Sequence, residues 1–140
     1  MNRHLSRIVA MQTLYEYDFR ANSDLSEILC RNISEYENKV DEEYVRSLVN
    51  GTLKDIDRFD KLIGKSAPEW PIDQISVIDK NILRLAAYEL TTTNDIPAKV
   101  VINEAIELGK QFGGDNSSKF INGVLGTIMD GLDEAKEDDK

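Results

Sequence analysis

Two places in the 140-residue chain gather side chains able to hold a phosphate. Arg3, His4 and Arg7 cluster at the start of the first apolar-periodic segment. Cations there oppose the positive end of a helix dipole. Either they are solvated surface charges, or an anion outside the helix favours them, and nucleic-acid phosphate is the natural one. Ser117, Ser118 and Lys119 open the last periodic segment, where backbone N–H groups without helical partners, hydroxyls and an ammonium suit a phosphate. Asn122-Gly123 follows inside that helical pattern, where glycine costs about 1 kcal/mol relative to alanine. A glycine there implies close approach of another backbone, in a tight helix crossing or in a partner or RNA contact.

Bond-breaking chemistry has no comparable footing. A single cysteine and a single histidine are too few for a structural zinc site. There is no phosphate loop, dinucleotide fingerprint or metal-ligand spacing. Glu104 and Glu107 stand at i, i+3 and can share a helix face. Carboxylate metal sites in helical bundles add a Glu-x-x-His motif, however, and the only histidine is His4. Without a histidine base or an activated nucleophile, the expectation is a binding protein rather than an enzyme, with no catalytic residues, cofactor or metal. Cys30 lies beside an apolar stripe with no basic activator evident, and reads as an inert, partly buried thiol.

The elements that position these residues read as helical throughout. Asn2 to about Phe19 carries Leu5, Ile8, Val9, Gln12 and Tyr15 at a period of 3.6. Asp24 with Glu27 has the spacing of a capping box and opens a second helix through Leu25, Ile28, Leu29, Ile33 and Tyr36. A third starts near Asp41, and its stripe runs from Tyr44 through Ile56 to Ile63, with Gly51 allowing a close crossing. Gly64 to Pro71, with glycine, serine, two prolines and the only tryptophan, is the expected boundary between two halves. Trp70 reads there as a core plug where the halves meet, with ligand stacking as the lesser alternative. Helix four spans about Ser76 to Leu90, and Arg84, set among apolar neighbours, reads as a structural ion-pair residue with a buried stem. Asn94-Asp95 is the expected turn before Pro97, which opens the next helix. Val101, Ala105, Leu108 and Phe112 form its stripe, and Gly113-Gly114 ends it, glycine accepting the left-handed conformation a helix end often needs. Ser117 is the expected N-cap of the last helix, whose stripe is Phe120, Ile121, Val124, Leu125 and Ile128. The expected fold is all-α, about six to seven helices in two packed helical subdomains. The halves are expected at about 1–65 and 70–132, with 133–140 an acidic flexible tail.

The formal net charge is −9, which opposes general nucleic-acid binding, since that affinity comes from neutralised phosphates. An RNA-binding role therefore needs its basic residues gathered on one face or a basic partner to supply the rest, and an acidic surface attracts such a partner. No apolar run approaches the roughly 20 residues of a membrane helix, and the N-terminus lacks the apolar centre of a signal peptide. One cysteine excludes an internal disulfide framework and suits a reducing cytoplasm.

Four strings carry a family resemblance. Val101-Ile102-Asn103-Glu104-Ala105-Ile106-Glu107-Leu108 and Lys119-Phe120-Ile121-Asn122-Gly123-Val124-Leu125 resemble the C-terminal signature of the NusB family of bacterial transcription antitermination factors. Ile82-Leu83-Arg84-Leu85-Ala86-Ala87-Tyr88-Glu89-Leu90 resembles that family's central helix, and Met11-Gln12-Thr13-Leu14-Tyr15 its first. The matches fall in the family's order and span nearly the whole chain.

The resemblance implies an adaptor that pairs with NusE, a small-subunit ribosomal protein doubling as an elongation factor. The pair binds the box A element of nascent ribosomal RNA and, with the other Nus factors, keeps RNA polymerase termination-resistant. Tyr15 and Glu89 match family positions implicated in the NusE contact. Arg3 and Arg7, with His4 between them, match the RNA-facing N-terminal segment, which is more arginine-rich in the family. Lys119 and Asn122 match positions near the RNA surface. The thin N-terminal cluster and the acidic charge keep a second reading open: a NusB-like protein-interaction module with weak or no RNA binding. Self-association into a homodimer that covers the RNA face is a further variant.

Overall fold

The computed structural model describes residues 2–20, 23–92 and 96–138, with side chains described through residue 133. Their regular structure is seven α-helices and one 3-10 turn, without a strand among the described residues. The helices are α1 (Arg3–Phe19), α2 (Leu25–Glu35), α3 (Glu42–Lys54), α4 (Ile56–Ser66), α5 (Val77–Thr92), α6 (Ala98–Phe112) and α7 (Ser117–Asp138). The 3-10 turn covers Ile72–Gln74. The all-α expectation holds. The expected Asn94-Asp95 turn lies outside the described residues.

Helix starts follow local capping chemistry. Asn2 Oδ1 accepts the Leu5 N–H at 3.0 Å, Asp24 Oδ1 accepts that of Ser26 at 3.0 Å, and Asp41 Oδ1 accepts that of Tyr44 at 3.1 Å. Ser76 Oγ does the same for Asp79 at 3.2 Å ahead of α5. Each bond satisfies a donor that the first helical turn leaves without a partner. Pro97 sits immediately before α6 with φ −57° and ψ 139°, a position where its missing N–H leaves nothing unsatisfied.

The chain divides into two compact units, Met1–Asp55 and Ile56–Lys140. The division falls at Asp55, between α3 and α4, and not in the Gly64–Pro71 stretch. Apolar periodicity from Tyr44 to Ile63 survives a one-residue interruption, so the sequence reads there as one helix. Asp55 leaves the helix at φ −117°, ψ 30°, with its N–H on the Leu53 carbonyl, and Ile56 begins a helix of the second unit. α7 continues through Asp138, so the tail expected from Asp133 is helical over most of its length.

In the first unit α1 packs on α2 and α3. Val9, Met11, Leu14, Ile28, Leu29, Val45, Leu48 and Val49 are buried. Its buried polar groups are matched: Asn32 Nδ2 donates to Thr13 Oγ1 at 3.1 Å. Ser6 Oγ donates to the Asn2 carbonyl at 2.9 Å and accepts the Asp41 N–H at 3.1 Å. Asn38, at φ 66°, turns the chain ahead of α3; asparagine tolerates that left-handed conformation better than most residues. Cys30 differs from expectation. It is exposed, and Arg46 Nη2 donates to its Sγ at 3.6 Å. That hydrogen bond, followed by the one to Glu42, raises the Arg46 pKa above its ordinary value. A helix of separation in sequence hid this basic neighbour.

In the second unit α4 packs on α5 and α7, and α6 lies along both α5 and α7. Phe59, Ile63, Ile82, Leu83, Leu108, Ile121, Leu125 and Ile128 are buried. Arg84 has the structural role its apolar neighbours imply: its Nε and Nη2 meet Asp60 Oδ1 and Oδ2 at 2.6 and 2.7 Å, and its Nη1 meets Asn81 Oδ1 at 3.2 Å. Trp70 differs from expectation. It is 53% exposed, its ring edge-on to Phe120 at 6.5 Å between centroids, and it plugs no core.

Candidate nucleic-acid interface

The predicted site residues divide between the two units. In the first, Arg3 is exposed, His4 is half-buried and Arg7 is buried at 5% exposure. Both guanidinium groups stand over the Tyr44 ring of α3, Arg3 at 4.7 Å and Arg7 at 5.8 Å from its centroid, inside the range of cation–π attraction. The sequence treats Arg3 and Arg7 alike because both fall outside the apolar stripe. Packing separates them: Ser6 and Arg7 are both buried with the core residues of α1, while Arg3 keeps its charge at the surface. Arg7 is thereby corrected from a surface cation to a packing residue. Tyr15 is half-buried and stacks on Phe19 at 6.0 Å, with the rings inclined by 15°. Phe19 is 70% exposed, so this aromatic pair reaches the surface at the end of α1.

In the second unit α6 turns into α7 through Gly113 and Gly114. Gly113 has φ −90° and ψ −169°, an extended conformation open to any residue. The expected left-handed helix end is absent; no glycine among the described residues has positive φ. Space is the reason for glycine here. A Cβ at Gly113 would lie 2.3 Å from Ser117 Oγ, 2.5 Å from Ser117 Cβ and 2.8 Å from the Gly109 carbonyl. Gly113→Ala is therefore expected to destabilise the protein by about 2–3 kcal/mol through overpacking, seen as a fall in melting temperature of about 5–10 °C. An unchanged melting temperature would show that the turn relaxes around the methyl group.

That turn fixes Ser117, which is buried rather than free to meet a phosphate. Its Oγ accepts the Gly114 N–H at 2.9 Å and donates to Asp79 Oδ2 of α5 at 3.0 Å. Ser117 is the first residue of α7, not its N-cap. Ser118 is half-buried, while Lys119 and Asn122 are exposed. Gly123 has no atom within 4 Å of a built Cβ, so no helix crossing inside the fold accounts for it. Glu89 is buried at 2% exposure, which withdraws it from any partner-facing surface. Glu89 stands seven residues after Ile82 and four after Leu85, on the same helix face as those apolar residues, so its periodicity agrees with its burial and only the family resemblance gave it a partner-facing role; α5 is packed by α4, α6 and α7 and is buried around most of its girth.

Sequence reasoning missed Asp79 and Phe120 as companions of Ser117 and Lys119. Trp70, Asp79, Ser117 and Phe120 line one pocket, and Trp70, Lys119 and Phe120 adjoin a second. The available signal was the single tryptophan in the proline-flanked stretch before Pro71. Among the described residues no group of three His, Cys, Asp or Glu side chains could hold a metal ion, and no helix is long and apolar enough to cross a membrane.

An all-α protein that displays isolated cations, an amide and aromatic rings at helix ends is built for docking. The chain belongs to the NusB family, whose model matches residues 4–130. It is 41% identical to the transcription antitermination protein NusB of Dehalococcoides mccartyi, over 97% of this chain and 96% of that one. Among solved structures it is similar to T. maritima NusB, with a TM-score of 0.85 and 38% identity over 91% of this chain and 90% of that one. It is also similar to a chain in the crystal structure of antitermination factors NusB and NusE in complex with dsRNA, with a TM-score of 0.80 and 29% identity over 91% of this chain and 97% of that one.

Proposed function

We infer that this chain is a transcription antitermination factor that pairs with NusE and binds box A RNA in nascent ribosomal RNA transcripts. Through the other Nus factors it keeps the RNA polymerase elongation complex termination-resistant, acting in the cytoplasm by docking and not by catalysis. Family membership supports the reading, as does the similarity to a NusB chain solved with NusE and dsRNA. The observation that carries it is the exposure of Lys119 and Asn122 on the opening turns of α7, a helix start that favours phosphate. The net charge of −9 fits the division of labour. An acidic adaptor accepts a basic ribosomal protein, and the pair adds contact surfaces for RNA that neither has alone.

The test is a titration of box A RNA at several salt concentrations, with and without NusE. Selective, salt-sensitive binding that tightens with NusE is the expected result. Lys119→Ala should weaken it and reduce the slope of log affinity against log salt by about 1; an unchanged slope removes Lys119 from the interface. Arg3→Ala should act similarly, whereas Arg7→Ala should act on stability. The burial of Arg7 favours a second reading, a protein-docking module with weak RNA affinity, since it leaves Arg3 as the exposed member of the arginine pair. Under that reading NusE binds and box A selectivity is absent with or without it.

A further inference from the structure

We propose that Tyr44 is a positioning residue for RNA binding: its ring holds the Arg3 guanidinium in place for a phosphate without neutralising it. The proposal rests on the RNA-binding reading above and names what prepares one of its cations.

Arg3 is the first residue of α1 and is exposed. The helix dipole disfavours a cation there, and a long side chain at the surface has much rotamer freedom to lose when it meets a ligand. An ion pair with a carboxylate would hold the side chain still, but it would also occupy the donors that a phosphate needs. No carboxylate among the described residues pairs with Arg3; what it meets is the ring of Tyr44, with the guanidinium carbon 4.7 Å from the ring centroid. A ring face attracts the cation through its quadrupole. It takes none of the oxygen-directed hydrogen bonds that the five guanidinium N–H groups can make. Arg3 is thereby restrained and keeps its charge and its donors for a phosphate.

The ring is itself placed by contacts that join the starts of α1 and α3. Tyr44 lies in the first turn of α3, and its N–H donates to Asp41 Oδ1 at 3.1 Å. The Asp41 N–H donates to Ser6 Oγ at 3.1 Å, and Ser6 Oγ donates to the Asn2 carbonyl at 2.9 Å. The Asn2 N–H donates in turn to the Lys39 carbonyl at 3.4 Å. Tyr44 is half-buried and is also met by the buried Arg7, at 5.8 Å from its centroid. Its ring therefore belongs to the packing of α3 on α1, while the cation it restrains stays at the surface. Glu42, two residues before Tyr44, is occupied on its own helix by two Arg46 N–H groups at 3.0 and 3.1 Å.

The test measures box A RNA affinity of the full chain in the presence of NusE at fixed moderate salt. Tyr44→Leu is expected to bind about 3-fold more weakly, the scale of an exposed cation–π contact, and Tyr44→Phe should rescue the loss. In Arg3→Ala protein, Tyr44→Leu should have no further effect, because the cation it serves is gone. Phenylalanine carrying one, two or three ring fluorines at position 44 keeps the packing if leucine does not. Affinity should then fall stepwise with fluorination in the presence of Arg3 and stay level in Arg3→Ala protein. A Tyr44→Leu loss of equal size in both backgrounds, or affinity indifferent to fluorination, assigns Tyr44 to packing alone and overturns the proposal. Binding that Lys119→Ala weakens and Arg3→Ala leaves unchanged overturns it as well, with the RNA-binding reading standing. Absence of box A selectivity, with and without NusE, defeats the RNA-binding reading and this role of Tyr44 with it.

Discussion

Arg84→Ala is expected to lower the unfolding free energy by about 3–5 kcal/mol, the range for removing one partner of a buried ion pair. Arg84 and Asp60 side chains are 8% and 24% exposed and meet through two hydrogen bonds of 2.6 and 2.7 Å. The alanine variant leaves the Asp60 carboxylate and the Asn81 oxygen without this donor in a largely dry setting, and also removes the packed stem of the arginine. With a urea slope of about 2 kcal/mol per molar, the midpoint should fall by about 2 M. A shift within a few tenths of a molar would mean that water replaces the guanidinium at little cost. Replacing both partners with apolar residues, Arg84→Met with Asp60→Leu, should recover much of the loss, because no charge is then left unmatched. Arg84→Lys should recover less, since an ammonium cannot reproduce the two-pronged geometry.

Glu89→Lys is the second large effect. Glu89 is 2% exposed and among the largest fully buried side chains of the chain. Reversing its charge removes the carboxylate, leaves whatever it meets unmatched and places an ammonium where water does not reach, so a loss of more than about 3 kcal/mol is expected. Circular dichroism and urea unfolding check this directly. Glu89→Gln, which keeps the shape and an acceptor, should stay folded and lose less. If Glu89→Lys instead unfolds at the wild-type midpoint and has lost only NusE binding, then Glu89 belongs to the partner surface that family resemblance implied. With the expected loss of stability, Tyr15 and the exposed Phe19 beside it are the better-placed candidates for protein contact, in the first unit.

These two residues also show what kind of information each level holds. Arg84 is legible in sequence because a lone cation inside an apolar run has one common explanation, and Asp60 duly meets it from α4. The burial of Glu89 was legible too, because Ile82, Leu85, Ala86 and Glu89 follow the i, i+3, i+4, i+7 spacing of one helix face; its charge and the family resemblance pointed outward instead. Arg3 and Arg7 are not legible in this way, since one turn of α1 and the position of Tyr44 decide which guanidinium stays at the surface.

Most of the helices, four of their N-terminal caps and the absence of strands among the described residues follow from the sequence alone. Periodicity and capping bonds act within a few residues, so Asn2, Asp24, Asp41 and Ser76 can be read where they stand. The family was legible for a related reason: its signature is a string of local choices in a given order. The tertiary structure alone decided that the units divide at Asp55, that Gly113 answers to the side chain of Ser117 and not to its own backbone, and that Trp70 stands beside Asp79 instead of inside a core. Each of these is set by atoms distant in the chain competing for one volume, and no local pattern of residues encodes the outcome of that competition.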